Sequence, residues 1–154
     1  MNGVFVEEMG GLAAPSAYNV FRGLEINGTL ASFQNSDDVR ATYNPGFTIN
    51  NSEAPVWLVF EGNANNAFEF LVESQSGTPG LAYTVEAYDW NTGQYDVIGI
   101  FDESFNSDQI ETFTIDPTHV DAGGDVESRI GWRQTGFTIN FPWEVRVDQV
   151  GWSF

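Results

Sequence analysis

The chain has 154 residues, enough for one domain with a two-layer core, and no cysteine, which excludes disulfides, thiolate metal sites and a cysteine nucleophile. Its 22 acidic residues against 5 basic ones give a formal charge of −17, a field that opposes nucleic acid and anionic membranes and gives divalent cations a general reason to associate. Every basic residue is Arg (Arg22, Arg40, Arg129, Arg133, Arg146), the side chain suited to two-pronged carboxylate pairs, so several are expected to anchor structure.

Residues 1–5 carry neither the basic region nor the apolar run of a signal peptide, and no stretch is apolar for long enough to span a bilayer as a helix. Residues 4–9 read as a short apolar-acidic strand, available to pair with its own sheet or with a neighbouring copy. Residues 18–27 alternate and end at Asn27-Gly28, a turn dipeptide. A polar turn at Asn35-Ser36-Asp37-Asp38 precedes a strand over 39–43, Asn44-Pro45-Gly46 is a second turn, and 47–50 a short strand. Val56-Trp57-Leu58-Val59-Phe60 reads as a central strand buried on both faces.

Residues 68–73 alternate, and 74–80 form a long turn. Residues 81–90 and 95–101 predict a hairpin about Asn91-Thr92-Gly93, flanked by Tyr88, Trp90 and Tyr95. A strand over 109–115 follows, then a helical turn at Asp116-Pro117-Thr118-His119, where Pro suits the first position after an Asp cap. Strands over 126–134 and 141–154 complete the chain. In the last of these Trp143, Val145 and Val147 alternate with Glu144, Arg146 and Asp148; the phase then shifts to Val150 and Trp152, which predicts a bulge near Gln149. Gly46-Phe47-Thr48-Ile49-Asn50 recurs letter for letter at 136–140, too short for a duplication and read as two equivalent strand-edge solutions.

No segment longer than a turn has helical periodicity. The chain is therefore expected to be all-β, a two-sheet antiparallel sandwich of jelly-roll type, with residues 1–154 as one domain and 1–9 as an extending strand. Trp57, Trp132 and Trp152 are expected in its core.

Few residues suit catalysis. The single histidine, His119, follows Asp-Pro-Thr in a loop and lacks a nucleophile motif, so it reads as structural. Acid pairs of the kind glycosidases use cannot be picked out by sequence among so many carboxylates. Oxygen-only coordination suits calcium: the candidate ligands are Asp148 on the last strand, Glu8 (with Glu7 equally placed) on the first, and Asp38 beside Asp37 in the polar turn. The competing reading pairs Asp38 and Asp148 with Arg. Asp121 and Asp125, around two glycines, read as a solvated loop. Aromatic rings at strand ends suit sugar faces: Trp90, Tyr88 and Tyr95 at the hairpin, or Trp132 and Trp143. The competing reading is cross-strand packing.

Ser36-Asp37-Asp38-Val39-Arg40, Asn51-Ser52-Glu53-Ala54-Pro55-Val56-Trp57, residues 80–95, Arg129-Ile130-Gly131-Trp132 and residues 142–149 follow, in that order, a pattern spanning about 14–152. It resembles uncharacterised β-sandwich modules of large secreted or surface proteins of planctomycetes and related environmental bacteria. That resemblance implies a secreted or cell-surface setting and no activity, ligand or catalytic residue. The strand Val145-Arg146-Val147-Asp148-Gln149-Val150 is more distantly similar to the last strand of carbohydrate-binding jelly rolls, which implies that Asp148 can help hold a structural calcium. The expected function is a non-catalytic module for adhesion or glycan recognition. Its partners would be a glycan or, in the alternative, neighbouring copies in a surface fibre; an enzyme is the third reading.

Overall fold

The computed structural model describes residues 11–48, 53–135 and 142–154. Within them lie β1 (Leu12–Ala13), β2 (Ala17–Arg22), β3 (Leu24–Asn27), β4 (Ala41–Asn44), β5 (Val56–Asn63), β6 (Glu69–Ser76), β7 (Leu81–Asp89), β8 (Gln94–Asp102), β9 (Gln109–Thr114), β10 (Asp125–Gln134) and β11 (Val145–Ser153). Short 3₁₀ turns occupy Leu30–Phe33 and Pro117–His119. The first sheet runs β3-β4-β11-β6-β9, with β1 on the far end of β11; the second runs β2-β5-β10-β7-β8. All described pairings between strands are antiparallel. This is the expected two-sheet sandwich.

Alternation decides which side chains meet between the sheets. On β11, Val145 and Val147 are buried; the register shifts between Val147 and Gln149, and Val150 and Trp152 are buried again. The bulge lies where the hydrophobic phase changes in the sequence. Trp152 from one sheet and Trp132 from the other are fully buried, together with Phe33, Phe60 and Phe70. Burying each such ring stabilises the fold by about 1.5–3 kcal/mol. Their indole N–H groups remain satisfied: Trp152 donates to Ser128 Oγ at 3.1 Å and Trp132 to Glu103 Oε2 at 2.8 Å. Desolvation pushes the Glu103 carboxyl upward, while the bonds from Trp132 and Ser74 pull it the other way.

Three expectations are corrected. Residues 18–27 are not one strand: Gly23, at φ +112°, breaks the run, and the chain crosses from β2 in the second sheet to β3 in the first. A side chain there would be strained and would bring a Cβ to 3.3 Å from the Asn44 carbonyl oxygen. β5 is buried on one face only, so Trp57 is no core residue; Val56, Leu58 and Phe60 point inward, Trp57 and Val59 outward. Phe47 and Thr48 form no strand, and Phe47 is exposed. The expected N-terminal strand, Glu7, Glu8, Ile49 and Asn50 of the first Gly-Phe-Thr-Ile-Asn copy and the whole of the second lie outside the described residues.

The Arg anchors are present. Arg22–Glu53, Arg40–Asp108, Arg129–Glu86 and Arg146–Glu144 each close to 2.5 Å.

Candidate functional site

The outer face of the second sheet is built by register. Trp57 on β5 lies opposite Gly131 on β10, which lies opposite Thr84 on β7; Arg129 lies opposite both Val59 and Glu86. Arg129 donates from Nε to Glu86 Oε2 at 2.5 Å and from Nη2 to Oε1 at 3.3 Å. So held, its guanidinium sits 4.5 Å from the Trp57 ring centre and 3.8 Å from that of Tyr95. Cation–π contacts of this kind contribute about 0.5–2 kcal/mol each.

The aromatic run extends both ways. Phe21 on β2 meets Trp57 edge-on at 5.0 Å. Tyr95 meets Tyr88 at 5.2 Å, and Tyr88 meets Trp90 at 4.9 Å, both near-perpendicular. A continuous band of rings and one guanidinium thus crosses the sheet from β2 to the β7–β8 hairpin. A shallow depression of about 110 Å³ lies beside it, bounded by Trp57, Thr84, Glu86, Arg129 and Arg133 around Gly131. Gly131 keeps this floor flat, because a Cβ there would lie 2.7 Å from the Ala54 methyl. The Tyr95 hydroxyl donates to Glu127. Burial and then the charge of Glu61 push the Glu127 carboxyl up, against the pull of Arg129.

The hairpin tip is held rigidly. Asp89 Oδ1 accepts the Asn91 and Thr92 N–H groups at 2.8 and 3.1 Å, and Gly93 takes φ +72°. Trp90 donates its backbone N–H to the Thr118 carbonyl at 3.0 Å and its indole N–H to that of His119 at 3.2 Å. His119, buried, accepts the Asp116 N–H on Nδ1 at 2.9 Å, which leaves Nε2–H to donate to Asp96 at 3.0 Å. The lone histidine thus ties the Pro117–His119 turn to the hairpin and aims Trp90. Asp89 and Asp96 converge on it, and these hydrogen bonds account for the convergence. Beside Trp90 opens a cavity of about 270 Å³, walled by Ser16, Glu61, Asp125 and Glu127.

Trp90, Tyr88 and Tyr95, singled out in the sequence, are therefore brought into one cluster. Trp132 and Trp143 are buried and present no ring face to solvent. Trp57, Arg129 and Glu86 were missed, although Arg129 and Glu86 fall on the polar phase of their strands.

The first sheet carries a separate acid cluster. Asp148, buried at the β11 bulge, accepts the Asp37 and Asp38 N–H groups at 3.4 and 3.2 Å. Asp38 sits at φ +63°. Oxygen atoms of Asp38, Asp108 and Asp148 lie within 4.8 Å of one another. Arg40 reaches Asp38 and Asp108 at 2.5 Å each and holds the Asp108 carboxyl below the usual range. Desolvation pushes Asp148 and the neighbouring Glu73 up, and Glu73 also feels the charges of Asp148, Asp108 and Asp38. Glu73 is buried with Oε2 lacking a hydrogen-bond partner among the described residues. Asp38 and Asp148 do meet, as the calcium reading requires, yet Asp38 also pairs with Arg40, as the competing reading requires. Asp108, the third acid, was not singled out. Asp121 Oδ1 accepts the N–H groups of Gly123 and Asp125 and closes its own loop.

No protein-family model and no curated protein matches the chain. Solved structures do. A family 29 carbohydrate-binding module superposes with a TM-score of 0.54 at 7% identity, covering 94% of this chain and 89% of that one. TmCBM61, solved in complex with β-1,4-galactotriose, gives 0.53 at 9% identity over 89% and 88%. A family two carbohydrate esterase from Cellvibrio japonicus gives 0.51 at 17% identity, over 93% of this chain but 32% of that one. The fold is that of carbohydrate-binding jelly rolls. None of these likenesses bears on the planctomycete resemblance.

Proposed function

We propose that this domain is a non-catalytic, extracellular glycan-recognition module that binds a sugar chain across the outer face of the second sheet. The observation that carries the reading is the ring band from Trp57 through Tyr95 and Tyr88 to Trp90, held by Arg129 and by the His119-braced hairpin. Aromatic faces take up the apolar C–H faces of pyranose rings, and neighbouring Glu86, Thr84 and Glu127 offer hydroxyl partners. The structurally similar modules are named for carbohydrate binding, which supports the reading. Trp90→Ala should reduce retention in polysaccharide affinity gels by about tenfold, the loss of roughly 1.4 kcal/mol. Its melting temperature should fall by a few degrees, because Trp90, 37% exposed, also loses its bond to His119 and its contact with Tyr88. The variant should remain folded at the assay temperature. Equal retention by the variant sinks the hairpin platform.

A second reading concerns the acid cluster: Asp38, Asp108 and Asp148, with Glu73 beside them, hold a structural Ca²⁺. The orphaned Glu73 Oε2 favours it, as do four carboxylates against the single charge of Arg40. Saturating Ca²⁺ at a hundredfold excess over Kd stabilises a fold by about 2.7 kcal/mol, which at this size is roughly 5–10 °C in Tm. Melting in chelator against Ca²⁺ and Mg²⁺ checks this. An equal shift with Mg²⁺ would mean only screening of the net charge.

A further inference from the structure

The two ends of the ring band differ in charge. Arg133 lies at the Trp57 end, and Arg129, paired with Glu86, stands mid-band between Trp57 and Tyr95. At the Trp90 end the cavity walls are Glu61, Asp125 and Glu127, with no basic group among them. Glu127 is fixed against the band by the Tyr95 hydroxyl, so its carboxylate stands where a bound chain would pass. Burial, and then the charge of Glu61, disfavour ionisation of Glu127, against the smaller pull of Arg129.

We propose that the face selects uncharged chains, and that Glu61 and Glu127 set this selectivity by excluding sulfate and uronate groups from the Trp90 end. This rests on the glycan-platform reading above. A neutral sugar hydroxyl donates to either carboxylate at little cost. An anionic substituent would be brought beside two or three carboxylates, and it finds no basic side chain among the cavity walls to offset them. Of these acids Glu61 and Asp125 are exposed, so the repulsion is greatest at low ionic strength.

Affinity gels of β-1,4-galactan, β-1,4-mannan and a β-glucan, each beside its own sulfated derivative, test the proposal at low ionic strength. The parent should be retained by at least one neutral gel and far more weakly by its sulfated derivative. In E61Q/E127Q the ratio of sulfated to neutral retention should rise on the order of tenfold. The same two-charge change on the other sheet, E69Q/E111Q, should leave that ratio unmoved, and melting curves confirm that each variant is folded. Retention of the parent by a sulfated gel as strong as by its neutral partner overturns the selectivity. So does an equal gain in the two double variants, which would assign the effect to net charge. Absence of retention on every neutral gel sinks the platform itself, and this inference with it.

Discussion

Trp152→Ala should destabilise the domain by about 3–5 kcal/mol, a large fraction of the whole stability of a protein this size. The indole is fully buried, packs on Phe70 at 5.3 Å and bridges the sheets through its bond to Ser128 Oγ. Across from it Gly62 leaves the ring room: a Cβ there would lie 2.6 Å from Trp152 Cζ3. Removing the ring opens a cavity in a close-packed layer and leaves the buried Ser128 hydroxyl without that partner. Trp152→Phe separates the two effects, because it keeps most of the apolar volume and costs chiefly the hydrogen bond. Chemical denaturation of both variants measures this; a loss below about 1.5 kcal/mol for Trp152→Ala would show that the layer collapses around the gap.

The layer that holds Trp152 was legible because period-2 patterning and its interruption are local. Val145, Val147, Val150 and Trp152 report both the strand and its bulge without reference to any partner. Trp57 was not legible for the opposite reason. In a run of five apolar residues neither phase is marked, and only the partners decide: Arg129 and Gly131 on β10 place Trp57 and Val59 on the solvent side. The split between β2 and β3 was hidden likewise, since alternation continues through Gly23 while the sheet changes.

The two candidate sites follow the same division. Tyr88, Trp90 and Tyr95 flank one hairpin, so sequence proximity brings them together. Arg129 and Glu86 are 43 residues apart and meet only through the β10–β7 pairing. Asp148 stood out on the last strand and Asp38 in a polar turn, but Asp108 joins them from 68 residues beyond Arg40 because the next residue, Gln109, pairs with Ser74 on β6, which itself pairs with Val147 at the β11 bulge. Sequence shows which residues are unusual, whereas contact order decides which unusual residues share a site.

Arg40→Met should cost about 2–3 kcal/mol at neutral pH, less than for a fully buried pair because the Arg40 side chain is 25% exposed. Methionine keeps the length and apolar stem of the side chain, so the change reads mainly the charge. Without the guanidinium, Asp38 and Asp108 face Asp148 and Glu73 with no ion-pair partner among the described residues. The dependence on pH has a definite sign. Arg40 depresses the Asp108 carboxyl, so the pair contributes above the unfolded value, about 4, and that contribution is lost as pH falls through the lower folded value. The difference between parent and variant is therefore greatest near neutrality and shrinks below about pH 4. A divalent cation acts in the same place. If the cluster takes Ca²⁺, the ion should raise Tm by more in Arg40→Met than in the parent, since it then supplies the whole countercharge to the four acids. Urea denaturation at neutral and acid pH, with chelator and with Ca²⁺, measures both effects. A variant within about 0.5 kcal/mol of the parent in chelator at neutral pH would mean that water already screens the cluster, and neither the Arg40 pairing nor a bound ion would then be needed to hold residues 34–40 over the β11 bulge.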